Sequence, residues 1–177
     1  CADSPAVRIT ALPDGGFTLV SEGLTVALEV PVRQRAEVRA LLGLRDQARA
    51  VIAREATDTD AGDLEVQRGR LRGAWERYVA EFGPINRFGL SKPKDPTRRP
   101  SRLVPAAVRL VTRTDPYGPL VAALERYDDD TGQAHPAGLL TSRQIVPRAA
   151  VTRAENPSDA VSICLDTLGR LDLPSIA

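Results

Sequence analysis

The tightest constraint on this chain lies between residues 34 and 83. Apolar residues recur there at three- and four-residue steps in two successive runs. Leu41, Leu44, Ala48 and Val51 form the first stripe, with Val38 and Ile52 beside them. Arg and Glu occupy the opposite side, so 34–55 reads as an amphipathic helix. Thr57 to Gly62 is a polar, acidic turn, and Asp60 or Asp63 is placed to cap a second helix. Leu64, Leu71, Trp75, Tyr78 and Phe82 share its apolar face. Phe82-Gly83-Pro84 then puts glycine just past the end and proline after it, a helix stop. Two helices of about 20 residues, each roughly 30 Å long by helix rise, joined by a short loop, predict an antiparallel αα-hairpin. Its seam is expected to set Leu41, Leu44 and Val51 against Leu71, Trp75 and Tyr78.

The flanks follow a different rhythm. Val7, Ile9 and Ala11 alternate with polar residues, Pro13-Asp14-Gly15-Gly16 turns the chain, and Phe17 and Leu19 alternate again. After Ser21-Glu22-Gly23, Leu24, Val26, Leu28 and Val30 resume period two until Pro31. Residues 6–30 therefore predict a small β-meander. Towards the C-terminus, Leu120–Tyr127 leads into Asp128-Asp129-Asp130-Thr131-Gly132, a type I turn signal. Leu139–Val146 is expected to return as the partner strand. Leu120, Leu124 and Tyr127 also fit a short helix, so both readings stand for that segment. Asn156-Pro157 opens a helix over 157–168 that ends at Gly169. The fold class that results is α+β. It comprises a β-meander (1–31), a helical hairpin (32–83), a basic Pro-rich loop or linker (84–118), and a region (119–177) holding a β-hairpin and a short helix.

Charge is concentrated in the third of these regions. From Pro84 to Arg113 there are eight basic residues against one acid, Asp95, so this stretch is +7 in a chain of net charge +1 and the remainder is −6. Seven of the 14 prolines fall in 84–119. Its first part reads as an extended surface loop, followed by a short strand at Val108, Leu110 and Val111. Arginines on a proline-stiffened segment reach phosphates without cost to a core, and each contact releases counterions. Arg87, Lys92, Lys94, Arg98, Arg99 and Arg102 are the candidate nucleic-acid-binding residues. The stretch lacks the interleaved aromatics and the known reader fold that would strengthen this reading, and a solvated loop is the plainer alternative.

Other chemistry finds little support. Two cysteines, Cys1 and Cys164, build neither a disulfide framework nor a four-ligand zinc site; Cys164 is expected as a buried thiol. The lone His135 has no partners for a catalytic triad. Counted from Asp128, the fifth and twelfth positions of a calcium loop are Gly132 and Leu139, which cannot ligate. No phosphate-binding glycine motif occurs. Asn156-Pro157-Ser158-Asp159 lacks the second proline and the aromatic of an amino-methyltransferase motif. Trp75, Tyr78 and Phe82 could form a stacking platform, but their helical spacing favours core. No metal, cofactor or catalytic residue is expected in this piece. No apolar run reaches the roughly 20 residues needed to span a membrane and no signal peptide is evident, so the expectation is cytoplasmic. A chain without methionine that begins at Cys1 reads as an excised fragment.

Three stretches together resemble a known family. Leu71-x-x-Ala74-Trp75-x-x-Tyr78-Val79-x-x-Phe82-Gly83-Pro84-Ile85-Asn86 is the first. Leu124-Glu125-Arg126-Tyr127-Asp128, with Thr131-Gly132 and Leu140-Thr141-Ser142-Arg143-Gln144-Ile145-Val146, is the second. Asp159–Leu165, Gly169–Leu173 and Ile176-Ala177 make the third. In order and spacing they resemble segments of very large helicase-type proteins of phages, plasmids and integrative elements. These are SNF2/DEAD-superfamily motors, often linked to N6-adenine DNA methyltransferases, similar to antirestriction proteins of the DarB-like type. The resemblance covers about residues 33–177 and departs at Leu139-Leu140, where an aromatic is expected, and at the basic 87–102 loop. It implies a non-catalytic accessory region of an ATP-dependent DNA helicase or a DNA methyltransferase, with DNA and the parent's remaining domains as partners, and a third stretch that starts a truncated, helix-turn-helix-like unit. The alternative is a protein-docking module built on the αα-hairpin.

Overall fold

The computed structural model describes residues 7–21, 23–57, 61–92, 97, 99–146, 158, 159, 161, 162 and 165. The protein is mixed α+β, and the chain divides into two compact units, Cys1–Val146 and Pro147–Ala177.

In the first unit, strands β1 (Arg8–Ala11), β2 (Phe17–Ser21) and β3 (Leu24–Ala27) form an antiparallel sheet in that order. The first turn closes because Gly15 takes a positive φ of 94° and Asp14 Oδ1 accepts from Gly16 N at 2.8 Å. Ile9 pairs with Leu19 and Ala11 with Phe17, so one face of β1 and β2 turns into the core. The apolar residues of β3 behave differently from their pattern. Leu24 is 72% and Val26 56% exposed, and the strand ends at Ala27, before Leu28 and Val30. The cause is distance: β1 is the strand that meets the helices, and β3 lies two strand spacings, roughly 10 Å, farther out.

Helix α1 (Val32–Thr57) and helix α2 (Ala61–Phe82) form the hairpin and pack along each other. Val38, Leu41, Leu44, Ala48 and Val51 of α1 are buried with Leu71, Trp75 and Tyr78 of α2, the expected seam. Three charges interrupt the stripes: Arg45 and Glu55 on α1, and Arg68 on α2, are also buried. The α2 stop is as expected, with Gly83 at φ 84° and its N–H donating to Val79 O at 2.9 Å.

The region after Pro84 is more ordered than an extended loop. Strands β4 (Gly89–Leu90) and β5 (Arg102–Leu103) pair antiparallel, and Ser91 N donates to Ser101 O at 2.9 Å. Val108, Leu110 and Val111, expected as a strand, belong instead to helix α3 (Ala106–Thr114). Pro105 precedes its first turn, and Ala107, Val108 and Val111 are buried while Arg109 and Arg113 are exposed. The apolar face that packs on α1 outweighs the strand preference of valine. Helix α4 (Gly118–Ala122) follows; a Cβ on Gly118 would lie 2.5 Å from Thr112 Cα, so glycine is required there.

Strands β6 (Glu125–Tyr127) and β7 (Ala134–Pro136) then form the hairpin. The partner strand is therefore not Leu139–Val146. Asp128 Oδ1 accepts from Asp130 N and Thr131 N, Gly132 takes φ 70°, and the tight turn starts the return strand at Ala134. Leu139 and Leu140 are buried in helix α5 (Gly138–Thr141), which packs on α2. A single apolar cluster runs from Ile9 to Leu140, joining the meander, the hairpin, α3, α4 and α5.

In the second unit, Ser158, Asp159, Val161, Ser162 and Leu165 are helical, and Ser162 Oγ donates to Ser158 O at 3.0 Å. The expected helix stop at Gly169 and the thiol of Cys164 lie outside the described residues.

Candidate nucleic-acid interface

The basic stretch leaves the helical hairpin at Pro84 and is rooted at once. Ile85 is fully buried. Asn86 N donates to Glu125 Oε1 at 2.7 Å and Asn86 Nδ2 to Ala122 O at 2.8 Å. The other Glu125 oxygen, Oε2, accepts from Trp75 Nε1 at 3.0 Å. One buried carboxylate thus ties the α2 seam, the start of the arm and β6 together. Trp75 and Tyr78 are core residues, which removes them as a stacking platform.

The six candidate cations fall into different roles. Arg87 is half-buried and bonded inward, to Glu37 Oε1 at 2.6 Å, Tyr78 Oη at 3.4 Å and Pro84 O at 2.7 Å. Burial by itself would lower its pKa, but the Glu37 carboxylate and Tyr78 hydroxyl outweigh that and hold it above the ordinary arginine value. The same burial pushes the Tyr78 phenol up. Arg87 therefore closes the end of the helical hairpin. Lys92 and Arg99 are exposed on the two sides of the arm. Lys94 and Arg98 lie outside the described residues. Arg102 is exposed at the root of β5, where it forms an ion pair with Asp129 of the β6–β7 turn.

Reading the sequence missed the aromatic pair beside Arg102. Phe88 and Tyr127 meet edge to face, with ring centroids 6.0 Å apart and planes at 72°. The Arg102 guanidinium lies 4.2 Å above the Phe88 ring. These side chains, with Ile85, Val104 and Val108, line a half-open groove between the arm and α3. The available signal was Phe88 itself, the one aromatic within 84–113, placed next to Arg87. Exposed Arg109 and Arg113 stand one turn apart on α3, each next in sequence to a groove residue, Val108 and Thr112.

Elsewhere the polar clusters are locks. Arg45 Nη1 donates to Asp115 Oδ2 at 2.5 Å and to Ile9 O at 2.7 Å, while Ile9 N donates to Asp115 Oδ2 at 3.1 Å. Glu55 accepts from Arg68 Nη2 at 2.7 Å and from Gln144 N and Ile145 N, each at 2.9 Å. His135 is exposed on β7, and Asp128–Asp130 form the turn expected of them. Among the described residues no three His, Cys, Asp or Glu side chains are grouped to hold a metal ion, and no helix is long and apolar enough to cross a membrane. No family model, curated protein or solved structure matches the chain.

Proposed function

We propose that this chain is a non-catalytic accessory domain of a large DNA-processing protein, a helicase, a DNA methyltransferase or both, in which the 89–103 arm contacts DNA phosphates. The observation that carries the reading is the division of labour around the arm. Its root is fixed by part-buried bonds from Asn86 to Glu125 and Ala122, while Lys92, Arg99 and Arg102 face solvent. A fixed root lowers the entropy lost when cations settle on a polyanion. The rest of the chain is net acidic and repels phosphate, so contact belongs to the arm and the exposed side of α3.

Among the described residues no groove-reading helix is evident, so binding is expected to be weak and indifferent to sequence. Gel-shift titrations at two salt concentrations test this. Replacing Arg98, Arg99 and Arg102 with alanine should lower affinity uniformly across sequences and shrink the log–log salt slope by up to about three units. Unchanged binding by the triple variant would reject the reading.

A second reading has its own observation. Leu90 and Leu103 on the arm, and Leu24 and Val26 on β3, are exposed apolar residues. They suit docking against the parent protein's other domains, without a nucleic-acid role.

A further inference from the structure

Building on the phosphate-contact reading, we propose that the Phe88–Tyr127 groove accepts an unpaired nucleobase, so that the arm prefers single-stranded nucleic acid over duplex. Phosphate contact alone does not discriminate between the two, because both carry a chain of anions. Discrimination needs a surface for the face of a base, which a duplex keeps hidden in its stack. The groove has one. Phe88 is half-buried, it is braced by the edge of Tyr127, and Ile85, Val104 and Val108 form apolar walls beside it.

The Arg102 guanidinium already occupies the stacking position, as a planar group 4.2 Å from the ring centroid. It is held there by Asp129, and both partners are about half exposed, so the pair contributes little to stability and is readily exchanged. A phosphate can take the place of the Asp129 carboxylate on Arg102. The guanidinium then moves with the backbone and leaves the Phe88 face to the adjoining base. Charge sets the path of the strand. Asp129 lines the groove, with Asp128 and Asp130 beside it in the β6–β7 turn, whereas Lys92 and Arg99 are exposed on the arm and Arg109 and Arg113 on α3. The strand therefore runs from arm to α3, across the aromatic pair. DNA and RNA single strands share this chemistry.

Fluorescence anisotropy on the full chain tests the inference, with labelled oligo-dT, oligo-U and a duplex of equal length at low salt. The unaltered protein should bind oligo-dT or oligo-U about ten-fold more tightly than duplex. Phe88→Leu keeps apolar volume but removes the ring. It should weaken single-strand binding about ten-fold, the order expected for one lost stacked base, and leave duplex binding as it was. Tyr127→Leu serves as the second variant should Phe88→Leu shift the thermal midpoint. Asp129→Asn frees Arg102 and should strengthen binding to both forms. A difference between oligo-dT and oligo-U identifies which nucleic acid the groove favours. Equal binding of single strand and duplex, with Phe88→Leu and Tyr127→Leu both silent, overturns the nucleobase site while the phosphate reading stands. Absence of salt-sensitive binding to any of the three overturns both.

Discussion

Glu55, Asp115 and Glu125 are buried carboxylates, and each accepts hydrogen bonds from at least two donors on distant parts of the chain. An ionised group removed from water is tolerable only on such terms. Burial alone would raise the Glu55 pKa. The bond from Arg68, then those from Gln144 N and Ile145 N, outweigh burial and hold it below its ordinary 4.5. A depressed carboxylate pKa lends stability that is complete above the unfolded value and is lost as pH falls through the folded one. The first unit should therefore lose stability below about pH 4.5, the ordinary Glu value. Glu55→Gln should flatten that part of the profile while costing stability at neutral pH; urea titrations across pH 3–7 read both. An unchanged acid limb in Glu55→Gln would assign the loss to other carboxylates.

At the scale of elements, the α1–α2 seam is the part most legible in sequence. Its stripes repeat over many turns, and only a helix satisfies such a pattern. Trp75→Ala should cost about 3–5 kcal/mol, the range for deleting a large buried aromatic, measured by chemical denaturation. A near-neutral effect would mean that Trp75 is exposed. Shorter elements were less legible for physical reasons. Val108, Leu110 and Val111 are too few to separate a period of two from one of 3.6, and packing on α1 decided between them. Arg68 sits in the gap between Leu64 and Leu71, where its pairing with Glu55 has no sequence signature. The candidate site divides in the same way. Its cations were visible as a local charge excess. Arg87 turned inward because Glu37 and Tyr78, remote in sequence, offered better partners than water. Phe88 and Tyr127 meet only once β6 is in place.

Across the whole first unit, the Arg45–Asp115 pair joins β1, α1 and the end of α3. Asp115→Ala leaves the Arg45 guanidinium buried without its main counter-charge and should cost about 3–5 kcal/mol. Because the partners belong to three elements, hydrogen exchange should speed up together in β1, α1 and α3. Acceleration confined to α3 would show that the meander is an independent appendage. The arm stands in contrast to this shared core. Its two strands are paired at the root, with the Ser91 and Ser101 hydroxyls 2.8 Å apart, so the ends of the intervening span are held whatever its length. Doubling a loop closed in this way costs only about 0.6 kcal/mol. A change in the number of residues between these two strands should therefore leave the stability of the first unit nearly unaltered.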